Sequence, residues 1–170
     1  RQATSNLFAR IVMRDKTIDV LKSFPLDQDT TKWQAREGYL LTLDATFREL
    51  LKEHHEKHSK SILASCFLGT NESFRSLLVK TFHRVELATA PTQTIFELRR
   101  IGTQLLSSLT VLTCWFDASI LFDEIWSKHE PTSFVILDTL REALRLERRL
   151  DLKRSRSSTV RVLSVCVSLV

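Results

Sequence analysis

The chain has 170 residues, 43% of them hydrophobic and 26% charged, which suits one globular domain with a sizeable core. Only three glycines and three prolines are present, which excludes folds that turn every few residues, such as sandwiches, and favours long helices. The net charge of +5 is local: residues 141–161 hold eight basic and three acidic side chains, so the remainder carries 17 of each sign and is neutral.

Residues 1–24 carry Leu7, Phe8, Ile11, Val12, Ile18, Val20, Leu21 and Phe24 and read as a helix, broken near Arg14 and Asp15. Pro25 and the polar run to Thr31 stop it. The clearest amphipathic helix follows, from Thr30 through Lys52 and on to about residue 56, capped by Thr30 or Thr31. Trp33, Leu40, Leu43, Phe47, Leu50 and Leu51 fall on one stripe, with Arg36, Glu37, Asp44, Arg48, Glu49 and Lys52 around the rest. Gly38 inside this helix costs about 1 kcal/mol relative to alanine, which predicts close approach of a neighbouring helix there.

The helix ends in EHHEKHSK. His54 and His58 are four apart, the spacing of a metal pair, but the run is not H-E-x-x-H and no third ligand cluster accompanies it. A solvated helix end is the expected role, and no metal or cofactor is assigned. Ser59 or Ser61 starts the next helix, whose apolar face is Ile62, Leu63, Cys66, Phe67 and Leu68. After a break at Gly69-Thr70-Asn71, with Asn71 as cap, Phe74, Leu77, Leu78, Phe82 and Val85 repeat at helical spacing. Segments 31–56 and 60–89 therefore read as an antiparallel helix pair.

Ala90-Pro91-Thr92 ends that pair. Thr92 or Thr94 caps a helix over 93–116, where Ile95, Leu98, Ile101, Leu105, Leu106, Leu109, Leu112 and Phe116 make a stripe wide enough for neighbours on two sides. A short helix follows Asp117, with Ile120, Leu121, Ile125 and Trp126 inward, and Pro131 breaks it. The last helix runs over 133–153, with Phe134, Leu137, Leu140, Leu144 and Leu150 on one side. Residues 154–170 are basic, then valine-rich, and read as disorder, a strand or a non-native stretch; as a true end, Ser168-Leu169-Val170 would suit addition to a sheet edge.

The segment Thr31–Leu43 resembles the first helix of a HEAT repeat, with Trp33, Arg36, Gly38, Leu40 and Leu43 at the characteristic positions. The resemblance implies an all-α chain of antiparallel helix pairs stacked as a short α-solenoid of HEAT or armadillo type over residues 1–153, with an irregular tail. It implies a non-catalytic scaffold or adaptor, a fragment of a larger repeat protein, that binds other proteins. The Trp-x-x-Arg start is also similar to the tubulin-binding TOG version of such arrays, which implies contacts through Lys32, Trp33 and Arg36, with Lys57, Lys60 and Lys128 in neighbouring loops; a core-facing Trp33 is the alternative.

A second reading makes the basic helix a nucleic-acid or acidic-surface binder through Arg141, Arg145, Arg148, Arg149, Lys153, Arg154 and Arg156. Glu142, Glu147 and Asp151 interrupt this run and it has no aromatic residue for base stacking. No Gly-rich phosphate loop, nucleophile elbow or Cys-x-x-Cys is present, so no enzyme and no small-molecule substrate is expected. The three widely spaced cysteines, Cys66, Cys114 and Cys166, give no disulfide framework and fit an intracellular setting, cytoplasmic or nuclear. Cys66 and Cys114 are expected in the core. No signal-peptide pattern or membrane-length apolar run is visible, and the start at Arg1 instead of methionine suggests a fragment.

Overall fold

The computed structural model describes residues 2–15, 32–68, 72–115 and 133–149. Every regular element among them is helical: α1 (Gln2–Asp15), α2 (Trp33–Lys57), a 3-10 turn (His58–Lys60), α3 (Ile62–Leu68), α4 (Glu72–Thr89), α5 (Phe96–Trp115) and α6 (Ser133–Arg149). The scarcity of glycine and proline therefore gives the predicted all-helical class. The chain divides into two compact units, Arg1–Arg84 and Val85–Val170, with the division inside α4.

In the first unit α1 packs along α2, and α3 folds back against α2 through the 3-10 turn. The predicted stripe of α2 is the core: Leu40, Leu43, Phe47, Leu50 and Leu51 are all buried. Trp33, the first residue of the helix, is only half-buried. Burial on α2 is wider than the stripe, taking in Leu41, Thr42, Thr46, Glu37, Asp44 and Glu53. Glu37 and Asp44 thus depart from the predicted solvent face. Asp44 is held by Arg48, whose Nε lies 2.8 Å from its carboxylate one turn on.

The buried hydroxyls have a common solution. Thr42 Oγ1 donates to the Gly38 carbonyl and Thr46 Oγ1 to that of Thr42, each at 2.8 Å. A helix can bury a Thr or Ser where the hydroxyl bonds back to the preceding turn, because no donor is left unpaired. With its proton committed to Gly38, Thr42 is an acceptor for Ser5 of α1, 3.1 Å away. Ser5, Ala9 and Val12 form the buried line of α1, while Leu7 and Ile11 face outward. Small side chains on that line let the two helices approach closely.

Gly38 does not mark a helix contact. A Cβ built there meets nothing within 4 Å, so the predicted close approach is absent. The predicted caps Thr30 and Thr31 lie outside the described residues. Lys32 occupies the cap position with extended backbone and no side-chain cap bond.

In α3 the expected Ile62, Leu63 and Cys66 are buried, and in α4 so are Phe74, Leu77, Leu78, Phe82 and Val85, all as their spacing predicts. The end of α4 opens the second unit. There Gly102 of α5 is the glycine of a close approach: an added Cβ would stand 2.9 Å from Ala88 Cβ and 3.0 Å from Thr89 Cγ2. Leu98, Ile101, Leu105, Leu106, Leu109 and Leu112 of α5 are buried as predicted. The burial then closes around the helix, since every residue from Leu105 to Leu112 is buried, including Ser107, Ser108 and Thr110. Ser107 Oγ lies 2.8 Å from the Thr103 carbonyl and 3.1 Å from that of Thr139 on α6, which ties the two helices.

α5 begins at Phe96, two residues after Thr94. Its entry is set by Gln93 and not by Thr92 or Thr94: Gln93 Oε1 accepts from the Ile95 N–H at 3.0 Å, and the Arg99 guanidinium donates to the Gln93 carbonyl. On α6 the buried line is Thr139, Ala143 and Leu146, with the predicted inward Leu144 only half-buried. The short helix expected after Asp117 and the tail 154–170 lie outside the described residues.

Candidate protein-binding surface

The residues carried by the repeat resemblance sort onto the two ends of α2. Lys32 is exposed just before the helix, with Trp33 and Arg36 half-buried in its first turn. Lys57 is its last residue, and Lys60 closes the 3-10 turn, exposed. A helix of 25 residues is about 37 Å long, so these groups form two separate edges and not one continuous surface. Lys128 lies outside the described residues.

The corner after α2 is the more elaborately built edge. Glu53, nearly buried, uses both carboxylate oxygens: Oε1 pairs with Lys57 Nζ and Oε2 accepts from the Ile62 N–H, each at 3.0 Å. Ser61 Oγ accepts from the Ala64 N–H at 3.0 Å, so of the two starts the sequence offers, Ser59 and Ser61, it is Ser61 that caps α3. The same oxygen lies 2.6 Å from His54 Nδ1. The first turn of α3 is thus held by two side chains, one acidic and one hydroxyl, contributed from α2 and the turn. His58 at the start of the turn has φ of 49°, the one non-glycine residue with positive φ among the described residues.

The three histidines do not form a metal centre. His55 and His58 meet edge to face with ring centroids 6.3 Å apart, and His54 turns inward to Ser61. Among the described residues no three His, Cys, Asp or Glu side chains are placed to hold a metal ion. Burial pushes the His54 pKa below its ordinary 6.5, and the charges of His58 and His55 push the same way, against a hydrogen bond with the His58 backbone and the charge of Glu53. The sequence points to the histidines through their spacing, but the use of His54 in capping depends on Ser61 folding back across the turn, which spacing alone does not give.

On α6 the basic residues are less available than their number suggests. Arg141 reaches Asp138 at 3.0 Å and Glu142 at 3.7 Å, and Arg145 reaches Glu142 at 2.5 Å. Arg148 is exposed. The side chain of Arg149, and Lys153, Arg154 and Arg156 altogether, lie outside the described residues. Cys66 is buried and not in a disulfide, and Cys114 and Cys166 fall outside the described side chains. No helix among the described residues is long and apolar enough to cross a membrane. No protein-family model, curated protein or solved structure matches the chain.

Proposed function

We propose that this chain is a non-catalytic scaffold or adaptor, a segment of a HEAT-like α-solenoid that binds other proteins through the ends of its helices. The observation that carries the reading is the burial of α5 on all sides from Leu105 to Leu112, the pattern of a helix with neighbours on more than one face, as in a stacked array. The paired packing of α1 with α2 and α5 with α6 supports it. Between the two candidate edges, the corner with Lys57 and Lys60 is favoured, because Glu53, Ser61 and Lys57 hold it in a defined shape. Helix ends fixed in this way suit recognition, since less flexibility is lost on binding.

The nucleic-acid reading of α6 is the weaker one. Its arginines at 141 and 145 are already paired with Asp138 and Glu142, and phosphate would have to displace those acids. Affinity capture with the full chain separates the two. The scaffold reading expects a protein retained through a high-salt wash and lost with Lys60→Glu in a chain that still folds. Recovery of nucleic acid alone, released by salt and by changing Arg145 and Arg148, would overturn it. Tubulin as the retained protein, lost with Lys32→Glu, would assign the TOG-like version and the other edge.

A further inference from the structure

We propose that the outward face of α1 is a docking surface for an acidic amphipathic helix of a partner protein. α1 carries two stripes at helical spacing. Ser5, Ala9 and Val12 form the inner one, buried where α1 packs along α2. Leu7, Arg10, Ile11 and Arg14 form the outer one, at i, i+3, i+4 and i+7, the spacing by which one helix packs on another. All four are exposed, Leu7 by 59% and Ile11 by 41%. The outer stripe therefore has the layout of a packing face, but no described helix covers it.

The charges choose the occupant. Arg10 and Arg14 stand one turn apart beside Leu7 and Ile11, a spacing at which like charges repel. No ion pair or hydrogen bond engages either guanidinium among the described residues. α1 has no Asp or Glu before Asp15, its last residue. Arg48, Arg141 and Arg145 differ in this respect, since each meets a carboxylate within its own helix. A partner helix with apolar residues against Leu7 and Ile11 and carboxylates against Arg10 and Arg14 meets both demands of the face.

Other occupants fit the face less well. Two copies of it laid together would set arginine against arginine. An anionic membrane calls for a broad apolar face, whereas the large apolar side chains here are Leu7 and Ile11, and the opposite side of α1 is held by α2. A phosphate backbone would pair with the arginines and leave Leu7 and Ile11 in water. The surface lies on the flank of α1 and not at the ends of α2, so it does not rest on the function proposed above.

The test offers the full chain three synthetic helical peptides of about 18 residues, or roughly five turns. They share a leucine stripe at i, i+3, i+4 and i+7 and carry glutamate, glutamine or lysine beside it. Fluorescence anisotropy gives the affinities, and amide chemical shifts give the site. The proposal expects the glutamate peptide to bind at least about tenfold tighter than the lysine peptide, with shifts concentrated from Leu7 to Arg14. Leu7→Ala should weaken that binding about tenfold, and Lys60→Glu should leave it unchanged. Arg10→Glu combined with Arg14→Glu should reverse the order of the peptides. If that chain does not fold, Arg10→Gln with Arg14→Gln takes its place and should erase the preference. Equal binding of the three peptides, or shifts that avoid α1, overturns the proposal. So does a chain that leaves the glutamate peptide unbound and uses Leu7 to bind phosphatidylserine vesicles or a second copy of itself.

Discussion

The two helical glycines of the described residues make opposite demands on the chain. Around Gly38 a Cβ meets nothing within 4 Å, so Gly38→Ala should raise stability by up to about 1 kcal/mol through helix propensity. At Gly102 the same methyl meets the fixed Ala88 Cβ at 2.9 Å, so Gly102→Ala should lose about 1–3 kcal/mol of packing, more than propensity returns. Chemical denaturation of the two variants gives both signs. Thr139 is a third test at this scale, since its Oγ1 is buried without a hydrogen-bond partner. Thr139→Val removes that hydroxyl at nearly constant shape and should be neutral or stabilising, whereas a hydroxyl with a strong partner would make it cost about 1 kcal/mol. His54 adds a pH dependence. Its pKa lies below its ordinary 6.5, so folding favours the neutral ring. That contribution is complete above 6.5 and is lost as pH falls from there through the folded-state pKa. A plot of midpoint denaturant against pH should therefore drop on the acid side in the wild type and drop less in His54→Gln.

For whole helices, periodicity was a sound guide wherever large apolar residues carried the packing. Leu40 to Leu51 of α2, Phe74 to Val85 of α4 and Leu98 to Leu112 of α5 are buried as their spacing predicts. The reading is less sound where small or polar residues make the contact. α1 packs through Ser5, Ala9 and Val12 and leaves Leu7 and Ile11 outside, a choice that depends on which helix lies beside it. α5 hides Ser107, Ser108 and Thr110 because their hydroxyls return to the backbone of their own helix, which a hydropathy pattern counts as exposure. The caps divide in the same way. Ser61 was legible as one of two candidates, with Ser59, because a serine before an apolar run is the usual signal, while Gln93 and Glu53 act from outside the standard cap position. At this scale, Ser61→Ala should cost about 1–2 kcal/mol, concentrated in α3, and Leu105→Ala about 2–5 kcal/mol, felt across the second unit. Amide exchange measured peptide by peptide distinguishes the local loss from the broad one.

At the level of the molecule, the chain divides into two compact units, every regular element among the described residues is helical, and the candidate binding residues stand at opposite ends of α2. Composition made the helical class readable, because so few glycines and prolines cannot supply the turns of a sheet protein. The candidate site was readable as residue types only. Lys32 and Lys60 are close in kind and far apart in space, and the arginines at 141 and 145 count as free charge in the sequence although each meets an acid in the fold. The central claim is that the helix ends recognise a protein. It is tested most directly by hydrogen exchange on the full chain alone and with the partner that affinity capture retains. The account predicts new protection at the corner of residues 57–64, unchanged at high salt, with the exposed face of α6 at Arg141, Arg145 and Arg148 exchanging as before. Protection confined to that face of α6 and erased by salt would contradict it.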